Sequence, residues 1–209
     1  MAVATPPSWT TGTAPNSFAA LPAGRLGTLG GRLMRLLNRA QQREIAHLLG
    51  PLTGLDVLEV GPGPGVLLGL LGRTARHVTA VEPSREMRAL AIRAHAGAIA
   101  DGRLEVRAGA AAATGLPDAS VDVVVSVNTV AIWPDLDAGV EELRRVLRPG
   151  GWLILSWHGG ERPSRASRPL LLREELLQRI EDALRARFPD VRRTATRRCT
   201  VFEARDTAG

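Results

Sequence analysis

Tyrosine and lysine are both absent from the 209-residue chain, and all 27 basic residues are arginine. Such a lack of lysine, beside abundant alanine, glycine and proline, reflects coding bias rather than selection for guanidinium groups. The high isoelectric point therefore overstates the case for an anionic partner. The single cysteine, Cys199, rules out an intrachain disulfide and any zinc site that needs two thiolates. Aromatic residues make up 3% of the chain, too few for a platform of stacked rings beneath single-stranded nucleic acid. No stretch approaches the ~20 consecutive apolar residues of a membrane-spanning helix. The first charge is Arg25, so the N-terminal stretch lacks the basic start of a secretory signal, and a cytoplasmic location is expected.

What is present is ordinary for a globular domain. Hydrophobic residues are 44% and charged residues 23%, and the length suits one core without metal or disulfide staples. Charge is uneven along the chain. Residues 1–49 carry a net +4, residues 50–160 a net −2, and residues 161–209 again +4. A slightly acidic body with two basic flanks permits an acidic substrate or a nucleic-acid edge without requiring either.

Residues 1–23 are rich in Thr, Pro, Ala and Ser without apolar periodicity. They read as a mobile leader, the alternative being a lid that orders over substrate. Residues 24–50 are expected to form a cap helix, ended by Gly50-Pro51. Its apolar positions recur on one face, while Arg32, Arg35, Arg39 and Arg43 line another. That basic face is expected to be solvated, or alternatively to grip an acidic group. From residue 51 to 209 strands alternate with helices. Strands are predicted at 55–60, 78–82, 103–107, 121–127, 151–157, 191–195 and 199–204. Helices are predicted at 65–75, 84–97, 137–147 and 169–188. This is the pattern of an α/β fold with a doubly wound, mostly parallel seven-stranded sheet, helices on both faces and an antiparallel edge hairpin.

The first strand runs into Gly61-Pro62-Gly63-Pro64-Gly65, and Glu82 ends the second strand. A strand, glycine loop and helix let backbone approach a ligand where a Cβ would clash. A carboxylate at the second strand's end can accept hydrogen bonds from two vicinal ribose hydroxyls. Together these imply a nucleoside-containing cofactor across the carboxyl ends of strands one and two. The glycines read G-x-G-x-G, with Val66 where a dinucleotide loop wants its last glycine.

The string VLEVGPGPG resembles the first motif of the class I, Rossmann-like S-adenosylmethionine-dependent methyltransferases. VTAVEPSREM resembles the family's second-strand motif, GLPDASVDVVVSVNTVAIWPD its fourth-strand region, and ELRRVLRPGGWLIL its closing helix, turn and fifth strand. The resemblance covers residues 50–157 strongly and implies S-adenosylmethionine as cofactor. It places Glu59, Gly61, Gly63, Gly65 and Asn128 around the cofactor, Glu82 and Pro83 at its ribose, and Met87 beside its adenine. Family members often carry an acid after the third strand for the adenine amine. Here that stretch is RAGAAAATGLP, so the backbone amides of Ala110 and Ala111 are left to read the ring nitrogens, and the amine must turn to a backbone carbonyl, Thr114 or water.

The family chemistry implied is methyl transfer by in-line displacement, which the protein serves mainly by alignment. The acceptor should lie outside the carboxyl ends of strands four and five. His158 is the candidate general base there, with a surface histidine in a turn as the alternative. Trp133, Trp157 and Arg32 are the candidate substrate-binding residues. No acidic cluster has convincing metal-ligand spacing, so no metal is expected. With no target-recognition module visible, a small organic acceptor in specialised metabolism is expected and no membrane partner. Two alternatives stand beside it: an RNA methyltransferase using the Arg-rich flanks, and a non-methylating relative such as a cyclase.

Overall fold

The structure is a computed structural model, which describes residues 7–11 and 39–206. Most of the leader, the first part of the cap helix and the candidate Arg32 lie outside the described residues. The described part of that helix, α1, spans 39–49. The apolar strings expected to be strands are strands: β1 (Asp56–Val60), β2 (His77–Val81), β3 (Leu104–Arg107), β4 (Val121–Val127), β5 (Leu147–His158), β6 (Asp190–Ala195) and β7 (Cys199–Arg205). They form one sheet in the order β3-β2-β1-β4-β5-β7-β6. Strands β1 to β5 pair in parallel. β7 pairs antiparallel with both β5 and β6, so the hairpin's second strand lies inside and β6 takes the edge. Near-continuous apolar runs such as β4 are what a sheet covered on both faces requires.

Each face has its own core. Ile45 and Leu49 of α1 pack with Val123, Val125, Val127 and Ile154 on one face. On the other, α5 (Leu136–Val146) and α6 (Glu174–Arg185) pack over Val124, Leu153, Leu155 and Phe202. α5 buries Leu136, Gly139, Val140, Leu143 and Val146, the helical three-and-four spacing, and its N-cap Asp135 accepts from the Ala138 amide. Asp137 opens that helix and Arg144 and Arg145 close it, in the sense the helix dipole favours.

Two predicted helices are shorter than their sequence periodicity and one is interrupted. The 65–75 segment keeps only α2 (Leu68–Leu71), stopped by Gly72. The 84–97 segment is α3 (Arg85–Ala94) followed by a break at His95 and by α4 (Ala96–Ala100). The break falls where the imidazole donates to the Gly65 carbonyl, at 2.6 Å. The 169–188 segment starts as helix only at Glu174, because the Leu170 carbonyl accepts from the Trp157 indole instead of a helical amide.

Glycine inside a helix ordinarily costs about 1 kcal/mol against alanine. At Gly139 the sign reverses, since an added Cβ would lie 2.6 Å from Trp133 Cε3. Gly139→Ala is expected to destabilise the chain by about 1–3 kcal/mol. A lower urea midpoint checks this, and an unchanged or raised midpoint contradicts it.

Candidate active site

The glycine loop begins where β1 ends. The Gly61 amide donates to the Val81 carbonyl, at 2.9 Å, holding the loop against β2. Gly61 has φ 71°, and a Cβ there would lie 2.5 Å from Thr129 Cγ2, so only glycine fits between β1 and the turn after β4. Gly63 has φ 55° and nothing within 4 Å of its Cβ direction. Its amide donates to Glu82 Oε2 at 3.0 Å, while the Ser84 amide donates to Glu82 Oε1 at 2.9 Å. The second strand's acid thus clamps the loop from below and leaves it open above.

Glu59 and Glu82 are both buried. Burial pushes the Glu59 carboxyl up to about 8, and the Glu82 charge adds to the shift. Glu82 is also raised by burial, against two backbone amides that pull it down. Glu59 Oε2 is enclosed and has no hydrogen-bond partner. Two acids at adjacent strand ends, one with an unpartnered oxygen, make a corner suited to a cationic group.

Beyond the loop, α1 crosses the ends of β4 and β5. Gln41 Nε2 lies 3.1 Å from the Arg198 carbonyl and 3.1 Å from His158 Nδ1, and Gln41 Oε1 lies 2.9 Å from Asn128 Nδ2. A carbonyl only accepts, so the Gln41 atom facing Arg198 is the NH2 group. That group then donates to His158 Nδ1, and the neutral imidazole carries its proton on Nε2. Burial holds the His158 pKa down to about 4. Asn128 has φ 59°, and its Oδ1 is enclosed without a partner, as are Gln42 Oε1 and Ser156 Oγ. Ser156 shares a face with Glu59 through the Glu59–Val125–Ile154 register, the face that α1 covers.

Residues 58–155 match the family described as a methyltransferase domain. Those residues carry a methyltransferase domain. The ribosomal RNA small subunit methyltransferase A of Paracoccus denitrificans is 42% identical over 118 residues, which are 56% of this chain and 40% of that protein. The ubiquinone/menaquinone biosynthesis C-methyltransferase UbiE of Rubrivivax gelatinosus is 30% identical over 116 residues, 55% of this chain and 44% of that protein. The chain therefore matches less than half the length of either relative. A solved S-adenosylmethionine-dependent methyltransferase from Aquifex aeolicus superposes with TM-score 0.70 at 21% identity, covering 86% of this chain and 98% of that one.

The residues of the methyltransferase domain fit S-adenosylmethionine. The unpartnered Glu59 oxygen suits a cationic group, the open side of Gly63 admits a ligand, and each Glu82 oxygen keeps a lone pair for a hydroxyl. Other candidates sit differently from expectation. The Ala110 amide is taken by the Ala113 carbonyl at 3.1 Å, so it is not available to an adenine nitrogen. The Ala111 amide has no partner among the described residues. Thr114 is also committed, its hydroxyl donating to Glu142. Met87 is buried on α3, Pro83 is exposed, and Gly65 is covered by the His95 ring.

The two tryptophans expected to wall the acceptor belong instead to the core under α5 and α6. Trp133 stacks over Gly139 and donates to Thr129 Oγ1 at 3.0 Å. Thr129 in turn donates to Ser126, whose hydroxyl donates to the Val60 carbonyl at 2.9 Å. The direction of this chain is forced, because the carbonyl at its end can only accept. It ties the turn after β4 to the last residue of β1, beside the glycine loop. Trp157 is spent on the Leu170 carbonyl at 2.6 Å. Residues 7–11, within the expected leader, dock on the same turn: the Trp9 amide donates to the Trp133 carbonyl, its indole to Val130, and Thr10 to Ala131.

His158 is corrected as a general base. Its one lone pair is filled by Gln41, and its low pKa leaves little basicity. Gln41 and Gln42 escaped the sequence reading. The signal was there: both occupy the buried stripe that continues at Ile45 and Leu49, where a polar side chain needs a reason.

Glu59 keeps its proton in the folded chain up to about pH 8, but loses it near its ordinary value of 4.5 when unfolded. Unfolding therefore releases a proton in that window, and stability falls as pH rises through it. Without cofactor, urea unfolding should show a loss of about 1 kcal/mol per pH unit between about pH 6.5 and 8. Glu59→Gln should flatten that slope, and equal slopes in both proteins would contradict the assignment. By proton resonance, His158 should show no titration between about pH 6 and 8.

Proposed function

We propose that the chain transfers a methyl group from S-adenosylmethionine to a small organic acceptor seated outside the carboxyl ends of β4 and β5, beneath α1. The cofactor, when bound, supplies an electrophilic methyl on a sulfonium. Glu59 would face its α-ammonium group, Glu82 its ribose hydroxyls, and the Ala111 amide its adenine edge. The observation that carries the reading is the Gln41 amide, bound at once to Asn128, His158 and the Arg198 carbonyl. It draws α1 across the acceptor side, where a compact molecule fits better than a folded polymer. The same amide leaves His158 Nε2–H as a donor that can orient an acceptor. With no base offered there, the acceptor attacks through a lone pair it already exposes, as an amine does, or through a group acidic enough to shed its own proton.

A second reading is favoured by one finding. The curated relative at 42% identity is named for ribosomal RNA. In that reading the acceptor is a nucleobase, and the basic flanks hold the backbone.

Calorimetric titration with S-adenosylmethionine should give binding that Glu82→Ala weakens by about 30-fold or more, the loss of two charge-assisted hydrogen bonds. Gln41→Ala should keep cofactor affinity while lowering kcat/KM for a small acceptor by about tenfold. Loss of cofactor affinity in Gln41→Ala would sink the placement of the acceptor. Methyl incorporation into structured RNA, steeply salt-dependent, with none into small amines or phenols would favour the second reading.

A further inference from the structure

A cleft on the outer side of the glycine loop takes no part in the chemistry above. It encloses about 220 Å³ and is bordered by Arg39 and Arg43 of α1, Arg73 after α2, His95, Gly65 and Gly69. Arg39 and Arg43 stand one helical turn apart, so both side chains reach the same rim. Other arginine pairs among the described residues share a carboxylate, as Arg76 and Arg148 do at Asp56 and Arg179 and Arg187 at Asp137. Three arginines border this cleft, and no carboxylate lines it among the described residues. The acid nearest in sequence, Glu44, is turned the other way and accepts from the Thr196 hydroxyl and the Arg198 amide.

The floor is built for a ring. A Cβ on Gly65 would lie 3.0 Å from His95 Nε2, and one on Gly69 3.0 Å from His95 Cε1. Two glycines four residues apart thus open a slot into which the imidazole lies, and its Nε2–H donates to the Gly65 carbonyl. The other ring nitrogen, Nδ1, has no partner among the described residues.

We propose that this cleft binds a phosphoryl group. Like charges brought together without a counter-ion raise the free energy of the empty site, and a multivalent anion removes that cost. Three guanidinium forks match the several acceptor oxygens of a phosphoryl group better than one carboxylate does. The volume, several times the roughly 30 Å³ of a water in the liquid, leaves room for what the phosphoryl group is attached to. Two sources share this chemistry: a phosphorylated small molecule, or one phosphate of an RNA backbone. Because His95 joins the cleft to the Gly65 carbonyl, an anion here also rests on the loop that faces the cofactor.

The test uses the full chain at low ionic strength, with inorganic phosphate as the probe and chloride of equal ionic strength as the control. Phosphate should raise the melting temperature and bind by calorimetry. Arg43→Ala should weaken that binding by about tenfold, and the triple variant Arg39→Ala, Arg43→Ala, Arg73→Ala should abolish it. Melting of the variants in chloride alone verifies that these exposed positions leave the fold intact. A short RNA hairpin supplies the second arm. Competition between hairpin and phosphate, with the salt slope of RNA binding reduced by about 2 in the triple variant, supports the cleft and assigns it to a backbone phosphate. Phosphate binding with no competition by the hairpin supports the cleft and assigns it to a small phosphorylated molecule. No response of the wild type to phosphate, or an equal response in the triple variant, overturns the proposal. Cofactor affinity is measured in parallel, so failure here is distinguishable from failure of the methyl-transfer reading.

Discussion

Five parallel strands, β1 to β5, covered on both faces bring their carboxyl ends to one edge, and the candidate site depends on what is buried there. Polar groups at that edge sit in low dielectric and must find partners. Glu82 finds two backbone amides, one of them from the glycine loop. Glu59, one strand away, leaves an oxygen without any. The pair is tolerable because Glu59 holds its proton, and that same tension makes the corner receptive to a cation.

The rest of the edge is organised by hydrogen-bond chains whose direction is set at one end by a backbone carbonyl. On the α5 side, Trp133, Thr129 and Ser126 pass their donors along to Val60. On the α1 side, the Arg198 carbonyl orients Gln41, which orients both Asn128 and His158. These two chains fix the walls on either side of the loop. They also set the tautomer of His158, because a ring nitrogen that accepts from Gln41 leaves the proton on the other.

Much of the architecture was legible in the chain. All seven predicted strands are strands, and the glycine loop with Glu82 points to a nucleoside cofactor from residue type and spacing. The apolar runs of β1, β2 and β4 survive because both faces of those strands are buried, so the local pattern and the tertiary demand agree. Helix extents were less legible. The 84–97 segment is broken at His95, which donates to the Gly65 carbonyl, and helix in the 169–188 segment starts late, past the Leu170 carbonyl that the Trp157 indole takes.

What the sequence determined by itself, then, was the sheet, the loop and the acids at the strand ends, since these follow from residue type and spacing along one segment. Tertiary structure alone decided the rest. It turned Trp133 and Trp157 inward, because Gly139 and the Leu170 carbonyl offered them places. It took the Ala110 amide for Ala113 and filled the lone pair of His158 from a helix 117 residues away. It gathered Arg39, Arg43 and Arg73 round one cleft. The reach runs from three residues, between Ala110 and Ala113, to 117, between Gln41 and His158, and no residue pattern along one segment records which donor a buried acceptor will meet.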